Sequence, residues 1–166
     1  VDAMAQAVWD DGGPLDALVN NAAGNFISRT EDLSPRGFDA IANIVLHGTF
    51  YVTQAVGKRW IAGGHRGSVV SILVTWVWTG SPYVVPSAMS KAGLHVMTQS
   101  LAVEWARHGI RLNAIAPGLI ATPATAHLAA PPTAAPVVAE SAFDLEAAAA
   151  EPVLAFAVGS TPVCCC

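Results

Sequence analysis

The sequence predicts an α/β domain built on a parallel β-sheet. Three observations carry that expectation. Up to Ala116, apolar segments of strand length and longer helix-like segments alternate in the order strand, helix, strand, helix, strand. The strand segments are short and almost wholly apolar, which suits strands covered on both faces. Each ends in small or polar residues, where a parallel sheet places its ligands. Consecutive parallel strands then imply right-handed crossovers.

Residues 1 to 14 read as the tail of a helix followed by a loop. Ala3, Met4, Ala7 and Val8 form its apolar stripe, and Asp10-Asp11-Gly12-Gly13-Pro14 ends it. Leu15, Ala17, Leu18 and Val19 form the first strand, closing in Asn20-Asn21-Ala22-Ala23-Gly24. Ser34-Pro35 is a helix start, with a capping hydroxyl before a proline suited to the first helical position. That helix is expected to run over residues 35–61, with Phe38, Ile41, Val45, Val52 and Val56 on its apolar side. Gly63-Gly64-His65-Arg66-Gly67 is a turn, and Ser68 to Val74, rich in β-branched residues, is the second strand. A Gly- and Pro-containing segment from Thr79 to Pro86 leads into a helix over residues 87–108. Ile110 to Ala116 is the third strand, stopped by Pro117-Gly118. The composition changes after Thr122. Residues 123–166 read as an Ala/Pro-rich tail, with a short helix expected over residues 140–151 and loop elsewhere.

Composition excludes several classes. The 166 residues (17.1 kDa) carry 8 Lys+Arg against 12 Asp+Glu, a net charge of -4 that argues against nucleic-acid binding. At 53% hydrophobic residues and a mean hydropathy of +0.47, the chain is too apolar to be disordered throughout. The three cysteines, Cys164, Cys165 and Cys166, are adjacent and offer neither a disulfide framework nor zinc spacing, so no metal is expected. The apolar runs are broken by Gly, Pro, Trp and charges, so no membrane span is expected. No signal peptide is read before the fold, and a cytoplasmic location is the expectation. The opening on Val1 suggests a portion of a longer chain.

The candidate site residues cluster at the expected strand ends. Asn20 and Asn21 suit either a ligand contact or a tight turn, and Pro117-Gly118 either a ligand loop or a strand stop. Lys91 lies four positions after Ser87, so the two share a helix face. Held near a cofactor, such a lysine lowers the pKa of a neighbouring hydroxyl by its charge; it also fits a lysine that snorkels to solvent. Trp76, Trp78 and Tyr83 form an aromatic group after the second strand, suited to an apolar pocket or a sheet-edge cover.

Taken together, these stretches resemble the short-chain dehydrogenase/reductase family, and within it the bacterial 2,4-dienoyl-CoA reductases. The resemblance rests on Leu18 to Phe26, Gly80-Ser81, Val84 to Ala88, Lys91-Ala92-Gly93, Leu101 to Trp105 and Arg111 to Gly118. It covers about residues 1 to 122 and implies an incomplete Rossmann-like three-layer fold. Several roles follow from it. Asn21, Ala22, Ala23 and Gly24 correspond to the segment that walls the cofactor. Lys91 corresponds to the lysine that holds the nicotinamide ribose. Pro117, Gly118, Ile120 and Thr122 correspond to the loop beside the nicotinamide. Ser87 fits the subgroup's serine in place of the usual family tyrosine. The implied reaction moves hydride from NADPH to a conjugated acyl-CoA thioester, with NADH as the other possible donor. The helices over residues 35–61 and 87–108 correspond to a homo-oligomer interface.

The sequence also departs from the family pattern. Trp76 stands where the subgroup has a substrate-orienting tyrosine, and His47 where it has an asparagine. His47 can still donate a hydrogen bond or a proton near neutral pH. The family's glycine-rich phosphate loop, first strand and first helix do not occur in these residues. The sheet is therefore expected to expose the edge where that strand would pair. Three readings stay open: an enoyl- or dienoyl-CoA reductase, a short-chain reductase of another apolar carbonyl compound, and a non-catalytic fragment that associates through its helices.

Overall fold

A computed structural model describes residues 1–118, 120 and 155–158. The expected order of elements is present. Helix α1 spans Asp2–Gly12 and ends where Gly13 takes a φ of 76° while donating its amide to Trp9. Strand β1 is Ala17–Asn20. Helix α2, Pro35–Ala42, starts as its sequence signals: the Ser34 hydroxyl accepts from the Gly37 amide at 3.0 Å, with Pro35 at the first helical position. Helix α3 is Thr49–Gly63, and Gly64 closes it in the left-handed region. Strand β2 is Gly67–Ile72 and the one-turn helix α4 is Trp76–Thr79. Helix α5 is Val85–Trp105, with a 3-10 turn to His108, and strand β3 is Ile110–Ile115.

The helix expected over residues 35–61 is not uniform. A π-helical turn, Asn43–Gly48, separates α2 from α3. Such turns inside helices gather at functional sites, and this one carries His47. Strand β2 is also shorter than expected, although the Leu73 amide still donates to Ile115 at 2.7 Å.

Strands β1, β2 and β3 are parallel. Ala17 to Asn20 pair with Ser68 to Ser71, and Gly67 to Ile72 pair with Ile110 to Ile115. Burial alternates along each strand. Leu18, Val69, Ile110 and Leu112 enter one core with Val52, Val56 and Trp60 of α3 and Trp105 of α5. A second core, Ile41, Val45, Leu73 and Leu94, ties α2, the π turn and α5 together near the carboxyl ends of the strands. Trp60 is fully buried, and its Nε1–H donates to the Leu15 carbonyl at 2.5 Å. Gly67 is the residue that admits the indole: a Cβ there would lie 2.5 Å from Trp60 Cε2.

The outer edge of β1 corrects an expectation. It is paired, not open. Strand β4, Ala155–Val158, runs antiparallel along it, with Ala17 opposite Val158 and Asn20 opposite Ala155. The sheet order is β3-β2-β1-β4, so a parallel core carries one antiparallel edge strand. The Ala/Pro-rich tail thus supplies backbone partners to groups that would otherwise face water. The helix expected over residues 140–151 lies outside the described residues.

Candidate functional site

The carboxyl ends of β1, β2 and β3 lie on one edge of the sheet, and most of the predicted residues meet there. Lys91 is the centre of the group. It is 6% exposed, although a lysine is rarely buried so far. Its Nζ donates to the carbonyl of Ile72, the last residue of β2. Burial pushes its pKa below the ordinary lysine value, because desolvation disfavours the charged form. Ser87, one turn earlier on α5, is buried on the same helix face. Ser90 is turned to its own helix, donating to the Pro86 carbonyl at 2.7 Å.

A polar cluster only partly legible in the sequence lies at the end of β1. The Asn20 side-chain amide donates to Thr53 Oγ at 2.9 Å and to Ser71 Oγ at 3.3 Å. All three residues are buried, so the last residue of β1 is fastened to both β2 and α3. Asn20 was visible as a polar strand end. Thr53 was not, because nothing local marks a helix threonine whose partner lies 33 positions away.

The other predicted residues distribute around this centre. Asn21 and Ala23 are exposed, while Ala22 and Gly24 are half-buried, so the loop after β1 offers small residues and backbone to a ligand. Pro117 follows β3 and is half-buried; Gly118 and Ile120 are exposed. Thr122 lies outside the described residues. His47 is exposed, and its hydrogen bond to Asn43 Oδ1 (2.8 Å) and its ring contact with Tyr51 are both on its own helical stretch. The structure therefore gives His47 no bond to Lys91 or Ser87. Its neighbour Leu46 does pack on α5, where a Cβ on Gly93 would lie 2.9 Å from Leu46 Cδ1. Trp76 opens α4 half-buried.

The aromatic group divides. Trp78 stands edge-on to His95 at 5.6 Å between ring centres. Those two rings, with Leu73, Thr98, Leu112 and Ala116, line a cavity of about 290 Å³ beside the strand ends. Tyr83 has a φ of 66°, unusual for a residue with a side chain. Its carbonyl accepts from the Ser28 amide at 2.9 Å, so the loop after β1 is joined to the segment before α5.

Residues 1–158 match the sequence profile of the family described as enoyl-(acyl carrier protein) reductase. The chain belongs to the short-chain dehydrogenase/reductase family. An oxidoreductase of Caenorhabditis elegans is 56% identical over 107 residues, which is 64% of this chain and 34% of that protein. The Bacillus subtilis protein named as a probable 2,4-dienoyl-CoA reductase [(2E)-enoyl-CoA-producing] is 50% identical over 109 residues, 65% of this chain and 43% of that one. Among solved structures, a short chain dehydrogenase from Bacillus anthracis aligns with a TM-score of 0.70 at 50% identity, covering 72% of this chain and 50% of that one. A gluconate 5-dehydrogenase from Burkholderia cenocepacia, solved in complex with NADP and tartrate, aligns with a TM-score of 0.72 at 31% identity, covering 76% and 49%. The chain thus spans between a third and a half of the length of these relatives. No helix among the described residues is long and apolar enough to cross a membrane.

Proposed function

We propose that this chain forms the lysine-bearing part of the active site of an NADP-dependent reductase acting on an enoyl-CoA or 2,4-dienoyl-CoA thioester. The observation that carries the reading is Lys91, a buried cation tethered to the end of β2 with Ser87 one turn away. Its relatives named as 2,4-dienoyl-CoA reductases support the substrate class.

The residues present suit the nicotinamide-ribose half of a dinucleotide. Lys91 gives one proton of its ammonium to Ile72, which leaves others for a ribose hydroxyl. The loop after β1 presents small side chains, and Pro117 with Gly118 closes the same edge from β3. When bound, the dinucleotide supplies the hydride. Ser87 offers a hydroxyl to the thioester carbonyl and polarises the conjugated system toward reduction. Lys91 holds positive charge beside that hydroxyl and favours proton donation from it or from a water in its place. The Asn20–Thr53–Ser71 cluster fixes the end of β1, so the loop that follows it starts from a rigid point. Exposed Phe50 and Tyr51 on α3, and Met89, Val96 and Val103 on α5, support self-association through these helices.

Isothermal titration of the chain with NADPH, with NADH as the comparison, tests the reading. Saturable NADPH binding is expected, weakened at least tenfold by Lys91→Met, with NADPH oxidation when a 2,4-dienoyl-CoA is added. A folded chain that binds neither dinucleotide, or one whose binding ignores Lys91→Met, overturns it.

A further inference from the structure

Helix α5 carries three buried hydroxyls, on Ser87, Ser90 and Thr98, and the fold treats one of them differently. Ser90 donates to the Pro86 carbonyl at 2.7 Å and Thr98 to the Leu94 carbonyl at 2.8 Å, each four residues back along the helix. Ser87 has no such partner. The carbonyl four residues before it belongs to Tyr83, whose φ of 66° takes it out of the helix and which accepts from the Ser28 amide instead. Ser87 is 7% exposed, and its hydroxyl makes no hydrogen bond among the described residues. No side-chain oxygen sealed from solvent there lacks a partner, so this hydroxyl still meets solvent. A buried hydroxyl that is reachable and unpartnered has a reactive oxygen to offer, which its two neighbours on the helix do not.

Lys91 stands one turn later on the same buried face. Side chains of a helix lean toward its N-terminus, so the lysine stem runs back along the turn that carries Ser87. Its Nζ is fixed at the end of β2 by the Ile72 carbonyl. Desolvation favours its neutral form. A neutral amine has two N–H groups and a lone pair, so one N–H serves Ile72 and the lone pair is left for a proton. Ser87 is also the third residue of a 21-residue helix, where the macrodipole favours an oxyanion.

We propose that Ser87 and Lys91 form a nucleophile–base pair that hydrolyses acyl-CoA thioesters, a second activity that rests on the acyl-CoA substrate class proposed above. The Ser87 oxygen bonds to the thioester carbonyl carbon while its proton passes to Lys91 Nζ. The carbon–sulfur bond breaks, and the departing CoA thiolate takes that proton. Water then attacks the acyl-serine ester and gives a proton to Lys91, which returns it to the Ser87 oxygen as the carboxylic acid leaves. Nothing is oxidised or reduced, so the reaction needs no dinucleotide. Hydride transfer calls on the protonated lysine and hydrolysis on the neutral one, so the two reactions draw on different forms of one site.

The test uses the full chain with butyryl-CoA and no dinucleotide. CoA release is followed by chromatography, because Cys164, Cys165 and Cys166 react with thiol reagents. Release well above the buffer rate is expected. A butyryl group is expected on the Ser87 peptide, and it withstands neutral hydroxylamine as an oxygen ester does and a thioester does not. Ser87→Ala removes an unbonded oxygen and is expected to bring release down to the buffer rate. Lys91→Met is expected to lower release by roughly 10²-fold, the lower end of general-base catalysis. Ser87→Cys keeps a nucleophile of similar size and is expected to restore acylation at residue 87, now labile to hydroxylamine. Release at the buffer rate by the parent chain, release that survives Ser87→Ala, or butyryl groups confined to the three cysteines overturns the inference. A chain that oxidises NADPH with a 2,4-dienoyl-CoA but releases no CoA loses this inference and keeps the reductase reading. One that releases CoA through Ser87 and binds no dinucleotide does the reverse.

Discussion

Gly67→Ala is the most direct probe of how this core is assembled. The added methyl would lie 2.5 Å from Trp60 Cε2 and 2.6 Å from both Cδ2 and Cζ2. Contacts that short require movement, and Trp60 has little freedom to move. It is fully buried and pinned by its Nε1–H to the Leu15 carbonyl. Overpacking a close-packed core costs about 1–3 kcal/mol, and a ring with no slack places this site toward the upper end, at ~2–3 kcal/mol. Gly57→Ala is the comparison. Its methyl would lie 2.3 Å from Trp105 Cη2, an even shorter approach. Two effects reduce its cost. Alanine gains about 1 kcal/mol over glycine in a helix interior. Trp105 also keeps some exposure, so its ring can yield. The expected order in urea denaturation is Gly67→Ala clearly more destabilising than Gly57→Ala, with unchanged m-values. In a Trp60→Phe background the ring loses its tether, and the cost of Gly67→Ala should fall by about half, a coupling on the order of 1 kcal/mol. A Gly67→Ala variant within about 0.5 kcal/mol of the parent, near the spread of neutral surface substitutions, refutes the reasoning.

Other perturbations read the site and the sheet edge. Asn20→Ala removes two buried hydrogen bonds and should cost about 2–3 kcal/mol, with non-additivity against Thr53→Val as the signature of the cluster; additive costs would mean that the cluster is not coupled. Lys91 has a lowered pKa in the fold, so the unfolded chain binds more protons and stability should rise as pH climbs toward the ordinary lysine range. Lys91→Met should flatten that rise in chemical denaturation measured across alkaline pH, and an unchanged slope would assign it to another group. Ala157→Pro places a residue without an amide hydrogen in the four-residue strand β4. Hydrogen exchange should then accelerate at least tenfold at β1 amides that face β4, while β3 is unaffected; unchanged exchange would mean that β4 does not protect that edge.

Much of the fold was legible because local signals and the tertiary arrangement agree. Ser34-Pro35 marks a helix start whatever surrounds it, and the glycine after α1 marks its end. The β-branched run at Ser68 favours a strand, and β2 forms there. Where the sequence was silent, the missing information was long-range. The π turn at Asn43–Gly48 has no compositional mark, since its residues suit an α-helix equally well. Strand β4 is a four-residue apolar run inside a low-complexity tail, and only the unpaired edge of β1 makes it a strand. The shared, buried face of Lys91 and Ser87 was readable from helical spacing, because residues four apart on one helix lie on one side of it. The His47 hydrogen bond likewise follows helical spacing, running to Asn43 four residues earlier on the same helical stretch.

The hydrogen bond from the Ser28 amide to the Tyr83 carbonyl has a mechanical consequence. One of its partners leads back to β1 and the other leads forward into the helix that carries Ser87 and Lys91. The two loops form a closed ring whose other joints are β-sheet pairs, so neither loop moves far without pulling the other. Tyr83 holds its end in the left-handed region, at about 1 kcal/mol or more for a residue with a side chain. A ligand that settles on the small residues after β1 would therefore be felt at the start of α5, and Tyr83→Gly would slacken the link without removing any group that touches the ligand.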